Sequence, residues 1–414
     1  MKYLSCILVL LHVASGFYAD NKLEKDLELN ASSETVDKHN YPAFEGFIGS
    51  GKESSTTSLY FEYNFGKDVS IVGDKEAAGW GIPCAHKDKE SKNSCKADDS
   101  TKKEGYYYSM RFDYNPASLF FRFSKGVKLD TDKKQTLPVQ LVVSQDKWPL
   151  KSLGVLGLSP QGDFATYARQ MFSDNLILLF GYEVSNPNAE NDDLKFNNHV
   201  VLNPAFTDSN VVLKMNLARE DKFWSFKGDV ITDNVGWKFE NKNICFSSIS
   251  NELILLTDAT SMCRDIQKII CNGKTGDECK KDNADVRKAP ELKVIFQNHT
   301  FKFKGEDYIY FKDKNVVGCR FGNITTSIDE KLCAEETELG VGRLFFSHYM
   351  PALSYNSDHS STLILMKDYK FSNKSNLMWI IIGIVCAVIL VGLVVFLVVK
   401  KRADAAEEHY TSDI

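Results

Sequence analysis

The stretch "NELILLTDATSM", Asn251 to Met262, is an apolar run that stops abruptly at a small acidic turn. A buried strand ending in Asp-Ala-Thr-Ser is a place to mount a carboxylate for acid–base chemistry, and Asp258 is the carboxylate in view. Other chemistries are poorly served. "GFIGSGKE" looks like a phosphate loop, but Glu53 stands after Lys52 where a magnesium-binding Ser or Thr belongs. No cysteine pair has the CxxC spacing or flanking His of a zinc site, so neither a metal nor a cofactor is expected. A net charge of −5 gives no reason to expect nucleic acid as a partner.

The elements that must position such a carboxylate are mostly strands. "SLYFEYNF", "YYYSMRFDY", "SLFFRFSKGVKL", "PVQLVVS", "LILLFGYEV", "FWSFKGDVI" and "ELKVIFQNHTFKFKG" alternate apolar with polar residues and are rich in aromatic and β-branched side chains. Helical patches are few, "GDFATYARQMFSDN" and "ATSMCRDIQKIICN" being the best. The chain has 414 residues, 43% hydrophobic, which predicts a mainly β fold in two sheets or lobes. From Phe17 to about Thr56 the chain is polar and reads as a loosely ordered lead or a short pro-segment.

The two ends point to export. Met1-Lys2 precedes the apolar run "YLSCILVLLHVA" and the small residues Ala14 and Gly16, the pattern of a secretory signal peptide. Leu377 to Val399 is an uninterrupted apolar segment, long enough as a helix to cross roughly 30 Å of hydrocarbon. Lys400, Lys401 and Arg402 follow at once, as the positive-inside rule expects of a cytoplasmic side, and argue against a GPI signal. The expectation is a single-pass type I protein in the cell membrane or a secretory-pathway membrane, its N-terminus outside. Cys84, Cys95, Cys245, Cys263, Cys271, Cys279, Cys319 and Cys333 are an even set for disulfides in that compartment. Asn30, Asn298, Asn323 and Asn373 each begin an N-x-Ser/Thr glycosylation sequon. At the tail, Ser412 and Ile414 fit the terminal Ser/Thr-x-apolar pattern that PDZ domains capture, although an unbound polar tail is the commoner outcome for so short a pattern.

Four stretches, in order, resemble the pepsin-like aspartic proteases. "SLGVLGLSPQGDFATYARQMFSDNLILLFGYEV" is similar to that family's Gly-ended strand, helix and strand, and "FWSFKGDVITDNVGWKFENKNIC" to the opening of its second lobe. "PELKVIFQNHTFKFKGEDYIYF" resembles that lobe's late hairpin, and "ELGVGRLFFSHYMPALSY" its closing strand-helix-strand. The likeness spans Ser58 to Lys367. It implies a bilobal, mainly β fold, to which the apolar segment 377–399 adds one C-terminal transmembrane helix. The layout is then a signal peptide over 1–16, a lead over 17–56, lobes over 57–215 and 216–370, a membrane helix over 377–399 and a tail over 400–414.

The resemblance also implies where the chemistry should lie and where it breaks. The family joins two Asp-Thr-Gly loops, one per lobe, so that two carboxylates share a proton and act as acid and base towards water. Counting back from Pro83 places Asp74 at the first acid, but Lys75, Glu76 and Ala77 replace the expected Thr, Gly and Ser. Registered on Thr260-Ser261, the second acid position falls on Thr257, with Asp258 one place late as an alternative acid. The flap pair corresponds to Phe112-Asp113, with Tyr114 just beyond. Cys84–Cys95 resembles the small bridge of the first lobe and Cys279–Cys319 the late bridge of the second, which leaves Cys245, Cys263, Cys271 and Cys333 in open pairing. The expected function is a catalytically dead, membrane-anchored ectodomain that binds a protein or peptide. The alternative is an active tethered aspartic endopeptidase with a non-standard dyad of Asp74 and Asp258.

Overall fold

The alternating segments form strands in the computed structural model of the chain, which describes residues 26–36, 39–49, 57–66, 68, 70–73, 102–104, 111–123, 136–144, 154–172, 175–191, 193–233, 235–312, 315–324 and 337–371. The signal segment, Asp74 with its loop, Cys84, Cys95, Cys333, Asn373, the apolar segment 377–399 and the tail with Ser412 and Ile414 lie outside the described residues. Among those described, no helix is long and apolar enough to cross a membrane.

Along the first half run β1 (Leu27–Leu29), β2 (Ala31–Val36), β3 (His39–Gly49), β4 (Thr57–Asn64), β5 (Ser70–Gly73), β6 (Lys102–Glu104), β7 (Arg111–Arg122), β8 (Thr136–Ser144) and β9 (Gly154–Gly157). Helix α1 (Asp163–Met171) then leads to β10 (Leu176–Val184) and β11 (Phe196–Leu202). The second half holds β12 (Val211–Leu217), β13 (Ser225–Thr232), β14 (Lys238–Phe246), β15 (Ile254–Leu256) and α2 (Ala259–Ile270). It continues through β16 (Leu292–Phe296), β17 (His299–Phe303), the short α3 (Gly305–Tyr308), β18 (Ile309–Lys312), β19 (Val316–Cys319) and β20 (Phe321–Asn323). It closes with β21 (Leu339–Val341), α4 (Arg343–His348), β22 (Met350–Tyr355) and β23 (Ser361–Met366).

The fold is mainly β. An eight-stranded sheet, β2-β3-β4-β9-β5-β8-β7-β6, curls until β3 also pairs with β7, which makes it a half-barrel. A seven-stranded sheet, β17-β16-β13-β14-β21-β15-β20, belongs to the second half, and β18-β19 form a separate ribbon. A six-stranded sheet, β1-β11-β10-β22-β23-β12, takes three strands from each half and joins them where β10 meets β22 antiparallel.

The two halves repeat one arrangement. β4 lies parallel to β9, β9 antiparallel to β5, and β5 parallel to β8. β14 lies parallel to β21, β21 antiparallel to β15, and β15 parallel to β20. In each half the Gly-ended strand then passes through a helix, α1 or α4, into the shared six-stranded sheet. The core crosses between the halves as an aromatic chain. Tyr63 packs on Phe180 with ring centroids 4.6 Å apart, Phe65 on Phe346 at 6.0 Å, and Phe246 on Phe346 at 5.9 Å. All these rings are buried, so they contribute both area and ring-pair geometry.

Two sequence expectations change. The polar lead is not loose from Leu27 to Gly49, because β1, β2 and β3 occupy it. Leu29, Ala43, Phe44 and Phe47 are buried there, and these few apolar residues outweigh a polar average. The disulfide Cys279–Cys319 is also corrected: Cys263 bonds Cys319, and Cys271 bonds Cys279. The reason is local. Cys271 caps the C-terminal end of α2, and the chain turns back through Asn272, Gly273 and Gly276, all at positive φ, to bring Cys279 beside it. Gln267 holds that turn, donating to Val317 O at 2.7 Å and accepting from Gly276 N at 2.9 Å. Cys263, two turns earlier on α2, is then free to reach the end of β19. Cys245 is disulfide-bonded as well.

Candidate acid site at the strand ends

The candidate site lies where β5 and β15 end. Both strands are paired on each side in their sheets, and the residues of β15, Ile254 to Leu256, are buried at 2% exposure or less. The pairing ladders fix how the two ends correspond. β5 sets Ile71 opposite Val155, two residues before Gly157. β15 sets Leu255 opposite Gly340, two residues before Gly342. Three positions beyond Ile71 is Asp74, and three beyond Leu255 is Asp258.

A second contact agrees with this register. Tyr63 lies opposite Leu156 and Phe246 opposite Val341, each one residue before its glycine. Two positions further, Phe65 and Ser248 become counterparts, and they touch: the Phe65 amide donates to Ser248 Oγ at 3.1 Å. Counted along the strands, Asp258 is the counterpart of position 74, which itself lies outside the described residues, whereas the count from Thr260-Ser261 gives Thr257. Helix α2 begins at Ala259, directly after Asp258.

Thr257 and Asp258 are both exposed. Asp258 is the N-cap of α2: its carboxylate accepts from Ser261 N at 3.1 Å, and its carbonyl accepts from Met262 N at 3.3 Å. Ala259 N donates to Asn323 Oδ1 at 3.1 Å, so two of the first amides of the helix are satisfied by side chains. Downstream, Met262, Ile266 and Ile270 are buried while Arg264 and Lys268 face solvent, the stripe that makes this segment helical. Asp258→Ala is expected to lower stability by about 1 kcal/mol, the usual worth of an N-cap side chain, while Asp258→Asn retains most of it. Urea unfolding of the two variants measures this; equal losses would remove the capping role.

Beneath the strand ends the halves are tied by polar contacts. Ser248 Oγ also donates to Tyr63 O at 3.2 Å. Trp224 Nε1 and the Tyr355 hydroxyl both donate to Leu158 O, at 2.7 and 2.9 Å. Gly342 needs its lack of a side chain, since a Cβ there would lie 2.5 Å from Glu252 O. Arg343, the first residue of α4, is buried, donates to Asn251 Oδ1 and lays its guanidinium over the Phe196 ring at 4.7 Å. Burial, and secondarily the neighbouring Tyr63, raises the Tyr182 phenol well above its ordinary range, so it stays neutral.

The remaining predicted residues are dispersed. Phe112, Asp113 and Tyr114 lie inside β7, paired with β6 and β8, and the register against β8 shifts between Asp113 and Tyr114. Asn298 sits exposed in the two-residue turn between β16 and β17, with Gln297 and Asn298 both at positive φ. Asn30 is exposed and donates from Nδ2 to Glu45 at 3.2 Å, whereas Asn323 is half-buried against α2. Among the described residues no group of His, Cys, Asp and Glu is arranged to hold a metal ion. No protein-family model and no curated protein matches the chain.

Proposed function

We propose that this chain is an exported, membrane-anchored glycoprotein whose ectodomain has a degenerate pepsin-like, two-lobed fold and binds an extended peptide or a protein partner without cleaving it. The twice-repeated parallel–antiparallel–parallel arrangement, joined through a six-stranded sheet, supports the two-lobed reading. The observation that carries the loss of catalysis is the use of Asp258 as a helix cap. In the family's loops a glycine two residues after each acid lets the two backbones approach. Glu76 and Thr260 stand in those places, and Thr260 is already within α2. A carboxylate turned to its own helix amides is a poor partner for sharing a proton across the halves.

The test is proteolysis by the full-length protein in detergent. Incubated with an unfolded protein substrate between about pH 3 and 6, where such dyads work, it is expected to leave the substrate intact. Cleavage that is blocked by a transition-state mimic of the class and abolished by Asp258→Ala would overturn the proposal. The chain would then be an active tethered endopeptidase using Asp74 and Asp258.

A further inference from the structure

The six-stranded sheet has two hairpin turns, one in each half, and each reaches across to the other half. In the first half the turn between β10 and β11 carries Pro187 and Asn191. Arg320, 3% exposed and from the second half, donates to Asn191 Oδ1 at 3.2 Å and to Pro187 O at 2.6 Å. Asn191 Nδ2 answers with Cys319 O and Phe321 O, each at 3.4 Å. Asn251 Nδ2 donates to Asn191 O at 2.8 Å, and Asn251 is the residue that Arg343 grips. One asparagine thus joins two separate segments of the opposite half, and through Asn251 a third at Arg343.

In the second half the turn between β22 and β23 does the same in reverse. Arg169 of α1 donates to Ser360 O at 3.2 Å, Ser361 Oγ at 2.8 Å and Pro160 O at 2.9 Å, while Gln161 Oε1 steadies its other nitrogen at 3.1 Å. Ser361, fully buried, donates to Pro160 O at 3.0 Å. Gln161 Nε2 reaches His359 O at 3.4 Å, and Ser357 N reaches Asn175 Oδ1 at 3.2 Å. Burial lowers both arginines, Arg320 to about 10, which still leaves it charged near neutral pH. A charged donor held by carbonyl and amide oxygens in a water-poor seam makes stronger bonds than a neutral pair.

We propose that these two turns are reciprocal latches that fix the angle between the halves and hold any groove between them at constant width. A single hairpin crossing would act as a hinge. Two, crossing in opposite directions on either side of the β10–β22 junction, oppose rotation both ways. The device contrasts with proteins whose lobes close on a ligand, because here the bonds that resist movement are already made in the free chain. The latches stand on the contacts alone. Only their consequence, a preformed binding groove, rests on the function proposed above.

Hydrogen exchange of the full-length protein in detergent tests this. Asn191→Ala opens the first latch, and Arg169→Lys, which keeps the charge and stem but loses the forked donor, opens the second. Each is expected to accelerate exchange by about tenfold, the worth of one lost charge-assisted bond, at amides of the opposite half. The reporters are Leu253 N and Arg320 N for the first, and Asn356 N and His359 N for the second. The double variant should accelerate the seam itself, read at Phe65 N and Trp224 Nε1, by more than the product of the single effects. The β13–β14 and β10–β11 ladders should stay protected. Unchanged exchange at the seam in the double variant, or equal acceleration of every amide, overturns the latches. Neither result depends on whether a peptide binds or is cleaved.

Discussion

Trp224→Ala is expected to destabilise the protein by about 3–5 kcal/mol, the range for deleting a large buried aromatic side chain. Trp224 is 1% exposed and stands at the start of β13 against the Tyr355 ring, with centroids 6.0 Å apart in an edge contact. Its indole nitrogen and the Tyr355 hydroxyl share the Leu158 carbonyl, so the residue packs and bonds across the two halves at once. Trp224→Phe separates the contributions. It keeps much of the apolar volume and loses the indole donor, while Leu158 O retains Tyr355, so about 1–2 kcal/mol is expected. A folded domain has only about 5–15 kcal/mol in total, so the alanine variant should show a large drop in the urea midpoint. A loss below about 1 kcal/mol for Trp224→Ala would mean that the seam is looser than its contacts indicate.

The second large effect is that of the disulfides, and their order matters more than their size. Cys263–Cys319 spans 56 residues and Cys271–Cys279 spans 8. Loop-closure entropy in the unfolded chain then gives about 4 kcal/mol for the first and about 2.5 kcal/mol for the second. The paired alanine variants, Cys263→Ala with Cys319→Ala and Cys271→Ala with Cys279→Ala, should lose stability in that order in thermal or urea unfolding. The long bridge also ties α2 to the end of β19, beside Arg320, so its loss should loosen the first latch as well. The reverse order would show that native-state contacts of the short loop, such as those of Gln267, dominate over chain entropy.

Much of the fold was legible because periodicity reports which face of an element is buried. The two helical patches chosen from the sequence became α1 and α2, and the quoted alternating runs, where they are described, lie in strands. The stretch "ELGVGRLFFSHYMPALSY" became β21, α4 and β22 in that order. Legibility failed where a few residues did work that averages hide. Phe44 and Phe47 anchor β3 inside a lead that is polar on average. The disulfide pairing was set by positive-φ turns after α2, and spacing alone does not encode those. At the candidate site the two counts differ: the motif read from its Thr-Ser end gives Thr257, whereas counting along the paired strands gives Asp258. Asn191 and Arg169 carried no signal at all, since a polar residue in a turn and a basic residue late in a helix are ordinary in any sequence.

The sharing of the six-stranded sheet has a consequence for biosynthesis. When the first half has left the ribosome, β10 presents an unpaired backbone edge, because its partner β22 is not yet made. Leu176 must wait for Tyr355, and Leu179 for Ala352. Contacts so distant in sequence form late, and an open apolar edge in the meantime invites pairing with a neighbouring chain. Until β22 is made, the nascent first half carries one raw flank. The final strands to be translated before Tyr369 are the ones that close it.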